Sequence, residues 1–242
     1  MSDHEVAARL ATEAGALLLA VRDELADATE AERKAAGDKR SHEFLVEALT
    51  SEHPGDAVLS EEGADNPVRL RSERVWIVDP LDGTREFAQL GRQDWAVHVA
   101  LWQSGELVAG AVALPAHGIT LATPDVSPPP PSAGLPRIVV SRTRPPAVAL
   151  RVRDRLDGTL VAMGSAGAKV AAVVQGLAEV YVHAGGQYEW DSAAPVAVAR
   201  AAGLHTSRVD GSQLEYNRAD PLLPDLVVCR PEYASAVLAA IA

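Results

Sequence analysis

The order of elements along the chain predicts an α/β or α+β fold in which sheets are covered by helices. Two observations carry this expectation. Short β-branched runs alternate with stretches whose apolar residues recur every three or four positions, in both halves of the chain. The 242 residues are 48% hydrophobic, enough for a large core in one or two domains. Aromatic residues are only 4%, so that core must rest on Ala, Val and Leu.

Val6, Leu10, Ala14, Leu17, Val21 and Leu25 place an amphipathic helix over residues 4–25. The polar stretch Asp27–Lys39 reads as a loop, and a second helix is expected from Ser41 to Thr50, so that Asp38 precedes it. Ala57–Leu59 is a short strand running into Ser60-Glu61-Glu62-Gly63. Val75–Val78 is a buried strand, ended by Pro80, which has no N–H for a ladder. Arg85-Glu86-Phe87 opens a helix. Trp95–Trp102 and Leu107–Leu114 flank Ser104-Gly105 as a hairpin, and Ile119–Ala122 is a further strand. Thr123–Pro136 holds six prolines and reads as an exposed linker, which sets an N-terminal subdomain at 1–133 and a C-terminal one at 134–242. Beyond it come a strand (Arg137–Ser141) and two helices (Ala147–Leu156, Ser165–Gly176). The chain ends with a strand (Ala178–His183), a helix (Asp191–Ala202) stopped by Gly203, a strand (Leu226–Cys229) and a helix (Glu232–Ile241).

The net charge of −11 argues against a nucleic-acid polymer as partner, which needs a basic face. It leaves room for a small phosphorylated substrate, because bound divalent cations reverse the local field. Cys229 is the only cysteine, so no intrachain disulfide forms, in keeping with a reducing cytoplasm. Asp3, Glu5, Arg9 and Glu13 precede Leu17–Leu19, which is not the charge order of a secretory leader. No segment approaches the roughly 20 apolar residues of a membrane span.

The chemistry gathers after the central strand. Asp79 and Asp82 leave one rigid turn together and are followed by Gly83 and Thr84. Two acidic oxygens beside a helix start suit a hard cation and a phosphate, although Asp-Gly after a strand also marks a plain turn. Glu61-Glu62 ends another strand, Asp38 precedes a helix, and Asp191 stands at the expected N-cap of a third, where a simple cap is the competing reading. Strand-end acids without Arg or Lys neighbours favour cations, and an all-oxygen ligand set points to Mg²⁺ rather than zinc. His98, His117 and His183 lack metal-ligand spacing and read as structural.

Ser60-Glu61-Glu62, Trp76–Thr84 (WIVDPLDGT) and Trp190–Pro195 (WDSAAP) resemble, in order, the three signature blocks of the inositol monophosphatase superfamily of lithium-sensitive, Mg²⁺-dependent phosphatases. The resemblance covers nearly the whole chain and implies a layered αβαβα sandwich with two or three Mg²⁺ ions. It implies that Glu61, Asp79 and the Leu81 carbonyl hold one ion, and Asp79, Asp82 and Asp191 a second. Gly83 and Thr84 would bind phosphate, Asp38 would pair with the Thr84 hydroxyl, and that pair with Glu61 would take the proton of the attacking water. Glu62 would orient ligands or water. Ala35 stands where the family has Thr, and the family's Lys-containing first loop is not evident.

Gly164-Ser165-Ala166-Gly167-Ala168-Lys169 and Ser141-Arg142-Thr143-Arg144 look like elements of the branch that acts on 3'-phosphoadenosine 5'-phosphate, with Arg144 replacing His. Ala184 replaces the Glu with which inositol phosphatases grip inositol. The chain is thus similar to CysQ-type bisphosphate nucleotidases of actinobacteria, in which Ser141, Arg142, Arg144, Ser165, Lys169 and Asp191 would contact substrate. For Arg142, Arg144 and Lys169 the competing reading is a solvated surface charge. The expected reaction yields AMP and phosphate from an adenosine bisphosphate, or from its sulfated form, in sulfur assimilation. An inositol or fructose-1,6-bisphosphate phosphatase is the alternative, and a non-catalytic nucleotide sensor a remoter one. The resemblance also allows a homodimer.

Overall fold

A computed structural model describes residues 1–241 as five stacked layers, helix, sheet, helix, sheet and helix, as the family resemblance implies. The first layer pairs α1 (Asp3–Glu24) with α2 (Glu30–Glu52). The second helix starts well before the expected Ser41, so Asp27–Lys39 is not a loop and Asp38 lies within the helix. A capping box decides this. The Glu32 N–H donates to the Thr29 hydroxyl at 3.2 Å, and the Thr29 N–H donates to the Glu32 carboxylate at 2.9 Å. The helix formers between Glu30 and Ala36 then propagate it without any apolar periodicity. Arg33 is buried and donates to the carbonyls of Leu25 (3.0 Å), Ala26 (3.1 Å) and Ala88 (2.8 Å), which anchors the first turn.

The first sheet runs β1-β2-β3-β4-β5, from β1 (Ala57–Ser60), β2 (Arg74–Asp82), β3 (Ala96–Gln103), β4 (Glu106–Leu114) and β5 (Ile119–Ala122). Only β1 and β2 are parallel. Pro80 does not end β2, contrary to expectation. Asp79 stands opposite His98 and Asp82 opposite Ala96, and the register slip between them absorbs the N–H that proline lacks. The strand therefore carries both acids to its tip, followed by the single turn α3 (Thr84–Ala88).

The proline-rich segment leads into the second sheet, ordered β7-β6-β8-β10-β9. Its strands are β6 (Arg137–Ser141), β7 (Thr159–Met163), β8 (Val180–Ala184), β9 (His205–Ser207) and β10 (Asp225–Cys229). The two edge strands escape sequence reading. β7 is half-buried without clean alternation, and β9 has three residues. Between the sheets lie α5 (Ala166–Val174) and α6 (Glu189–Ala201), and α4 (Ala147–Leu156) and α7 (Pro231–Ile241) cover the outer face. Every residue of α5 is buried, as befits a helix enclosed between two sheets. No described helix is long and apolar enough to cross a membrane.

The corrected start of α2 can be tested at Ala35, which is exposed. Ala35→Pro should lower the unfolding free energy by about 3 kcal/mol, read from the urea midpoint at unchanged slope, because it breaks a helix interior. A loss below about 0.5 kcal/mol would return residues 30–39 to a loop.

Candidate active site

Three carboxylates from two elements meet where the two sheets face each other. Asp79 and Asp82 come from the tip of β2, and Asp191 from the first turn of α6; each offers an oxygen within 4.8 Å of the others. Asp79 is 1% exposed and Asp82 7%. Asp191 is not the N-cap of its helix, as expected, but the third residue, where its carboxylate accepts the Tyr188 N–H at 2.7 Å.

Asp82 is also a bolt between the two halves. Its oxygens accept the N–H groups of Ala166 (3.1 Å) and Gly167 (2.6 Å), which open α5. Two glycines permit this approach. Gly83 has φ +87°, and a Cβ there would lie 2.9 Å from the Ser165 Cβ. A Cβ on Gly167 would fall on His98 Nε2.

His98, assigned only a structural role from sequence, is fully buried at the site. Its Nε2 lies 3.2 Å from Asp82, and its Nδ1 lies 3.0 Å from the Trp190 carbonyl. Both ring nitrogens thus face acceptors, which favours the imidazolium. Burial opposes that charge, but the Asp82 carboxylate and the Trp190 carbonyl outweigh it and raise the pKa. The β2–β3 register that sets His98 opposite Asp79 has no signature in residue spacing, so sequence reading missed it.

The acids repel one another. Burial, then the charges of Glu61, Asp82 and Asp191, pushes Asp79 well above the ordinary carboxylate range. Asp191 is pushed up to about 7 by burial and the Asp82 charge. Glu61, just beyond β1, hydrogen-bonds with Asp79; desolvation and neighbouring acids raise it to about 7. Asp82 alone titrates low: burial works against its charge, but the His98 ring, Lys169 and the Gly167 N–H hold it ionised. Burial and the Glu62 charge push Asp38 up to about 6, and its Oδ1 is buried with no hydrogen-bond partner. This surplus of oxygen donors over protein cations fits a divalent oxygen-seeking ion.

Glu62 is exposed and lines a cavity with Asp38, Lys34 and His42. Leu81 is buried and donates its N–H to Asp79 at 3.0 Å. Gly83 and Thr84 line a cleft of about 190 Å³ with Ser141, Arg142, Arg144 and Gly164. Arg142 pairs with Glu86 at 2.6 Å, while Arg144 is exposed. Ser165 caps α5 by accepting the Ala168 N–H at 2.8 Å. Lys169 is no solvated charge. It is 4% exposed, donates to the carbonyls of Ser165 (2.7 Å) and Gly164, and lies over the Tyr181 ring at 5.3 Å.

The sequence pattern of the Inositol monophosphatase family matches residues 2–126 and 137–242. The chain is 53% identical over 239 residues to the 3'-phosphoadenosine 5'-phosphate phosphatase of Mycobacterium bovis, covering 95% of this chain and 90% of that protein. It is 32% identical over 204 residues to the 3'(2'),5'-bisphosphate nucleotidase CysQ of Escherichia coli, covering 78% and 81%. The crystal structure of CysQ from Bacteroides thetaiotaomicron, at 28% identity, superposes with a TM-score of 0.80 over 93% of this chain and 96% of that one.

The raised carboxyls have a signed consequence for stability. Between the unfolded and folded pKa values the folded chain holds more protons, so stability falls as pH rises there. For Asp191 that window runs from about 4 to about 7, and the loss is complete above it. At 1.36 kcal/mol per unit, a rise from 3.8 to about 7 caps the loss at roughly 4 kcal/mol. Metal-free protein should therefore melt lower at pH 8 than at pH 5.5, and Mg²⁺ should raise the melting temperature more at pH 8. Equal Mg²⁺ effects at both values would contradict a site built from these acids.

Proposed function

The chain belongs to the inositol monophosphatase family, and from that premise we propose that it is a Mg²⁺-dependent phosphomonoesterase that removes the 3'-phosphate of 3'-phosphoadenosine 5'-phosphate. The observation that carries the reading is the buried carboxylate cluster beside a small cleft with two arginines. The acids suit cations, and the arginines suit a substrate with a second phosphate. Ala184, in place of a carboxylate, counts against inositol as the preferred substrate. A cytoplasmic location fits the lone, buried Cys229.

Asp79, Asp82, Asp191, Glu61 and the Leu81 carbonyl would hold the cations. When bound, the cations lower the pKa of water and neutralise the charge that develops on the phosphoryl group. Everything else falls to the chain. Glu61, ionised once cations offset the charges of the neighbouring acids, takes a proton from the attacking water. Asp38 lines a cavity with Glu62 and its Oδ1 is unpartnered, so the expected pair with the Thr84 hydroxyl is not formed here and Asp38 would assist only by turning to make it. The N–H groups of Gly83 and Thr84 orient the phosphoryl oxygens. Arg142, held by Glu86, and Arg144 meet the 5'-phosphate. Lys169 positions the Gly164–Ser165 turn behind that cleft and leaves direct contact to the arginines.

A panel of adenosine bisphosphate, inositol 1-phosphate and fructose-1,6-bisphosphate tests the proposal through phosphate release with Mg²⁺. The highest kcat/KM should fall on the nucleotide; a preference for either sugar phosphate would overturn it. Li⁺ should inhibit more than Na⁺ at equal ionic strength. Asp79→Asn should lower kcat at least about hundredfold, since a charged cation ligand is worth several kcal/mol. At pH 5.5 the metal-free variant should nevertheless keep its melting temperature, because the amide replaces a protonated carboxyl and can still accept from Leu81 and donate to Glu61. Retention of more than about a tenth of kcat would remove Asp79 from the cation site.

A further inference from the structure

Residues 187–189 pair antiparallel with 221–223. The Leu223 N–H donates to the Gln187 carbonyl at 2.9 Å and the Glu189 N–H to the Pro221 carbonyl at 2.8 Å, with Tyr188 opposite Leu222. Alternation along this short ladder sends Gln187 and Glu189 inward, where they are 6% and 1% exposed. It sends Tyr188 and Leu222 outward, at 40% and 46% exposed. The inward residues are fixed. Glu189 accepts the N–H groups of Asn217 (2.6 Å) and Arg218 (2.8 Å), and Gln187 donates to the Tyr181 hydroxyl at 3.1 Å. The outward Tyr188 ring lies flat against the half-buried Trp190 ring, centroids 4.8 Å apart and planes 9° apart.

One ring is thus packed into the protein and the other carries an open face, parallel and rigidly backed. The Tyr188 N–H is bonded to the Asp191 carboxylate, and the Trp190 carbonyl faces His98, so the stack is tied directly to the cation-holding acids. No charged group takes part in the stack. We infer that the open face of Tyr188 is the platform on which the base of the nucleotide substrate stacks, with Trp190 behind it and Leu222 beside it. The inference rests on the nucleotidase reading and adds to it a contact that no sugar phosphate can make. Base–aromatic stacking is worth about tenfold or more in binding and needs only a π-face, so it holds the nucleoside without reading its edges.

The test compares wild type, Tyr188→Ala and Tyr188→Phe as full chains with Mg²⁺. The ratio of kcat/KM for 3'-phosphoadenosine 5'-phosphate to that for inositol 1-phosphate is measured, together with quenching of tryptophan fluorescence by AMP. The ratio should drop about tenfold or more in Tyr188→Ala through KM rather than kcat, and Tyr188→Phe should restore it. AMP should quench the wild type and Tyr188→Phe, but need at least about tenfold more ligand for Tyr188→Ala. An unchanged ratio, or equal losses on both substrates, would overturn the platform. So would loss of a dimer in Tyr188→Ala with unaltered AMP binding, which would make the pair a contact between copies. If wild type does not hydrolyse the bisphosphate, the nucleotidase reading falls separately. The AMP titration still decides Tyr188: quenching that the Ala variant weakens supports the stack, and no quenching refutes it.

Discussion

Asp82 makes this molecule one object. A single carboxylate at the tip of the first sheet holds the amino end of α5 through two N–H groups and faces a buried imidazole. The residues it joins are 84 and 85 positions apart. The bond demands unusual closeness, which explains a left-handed glycine at 83 and a second glycine at 167 under the His98 ring. The slip at Pro80 belongs to the same arrangement, because it turns the end of β2 so that Asp79 and Asp82 reach one point.

Once Asp82 is committed, the remaining acids are out of balance. His98 and Lys169 hold the charge of Asp82, but buried Asp79, half-buried Asp191 and Glu61 at the exposed rim are left to repel one another. Without cations they retain protons far above their ordinary range, and the folded state bears the cost as pH rises. A divalent ion removes the repulsion and turns the same carboxylates into ligands. The site is therefore built for its cations, and its instability without them is the corollary.

Much of this was legible in the residues. The class of helix-covered sheets follows from alternating periodicities, while the layer order and the acids at 61, 79, 82 and 191 come from the resemblance carried by three short motifs. What the sequence hid was either long-range or locally unusual. α2 begins early because its amino half is helical through capping and buried Arg33, with no apolar stripe to betray it. β2 outlasts Pro80 because a register slip hides the missing donor. His98 depends on cross-strand pairing, and the burial of Lys169 depends on the enclosure of α5 between two sheets. Asp191 moved from cap to third helical residue because Tyr188 takes the cap position, which also supplies the N–H it binds.

The central claim is that the buried acids of β2 and α6 form the cation site. A crystal soaked in Mn²⁺, measured at its absorption edge, tests it most directly. Anomalous peaks should appear at about 2.0–2.3 Å from carboxylate oxygens of Asp79, Asp82 and Asp191, as hard octahedral ions require. The absence of any peak there, or strong peaks only elsewhere on the acidic surface, would contradict the account.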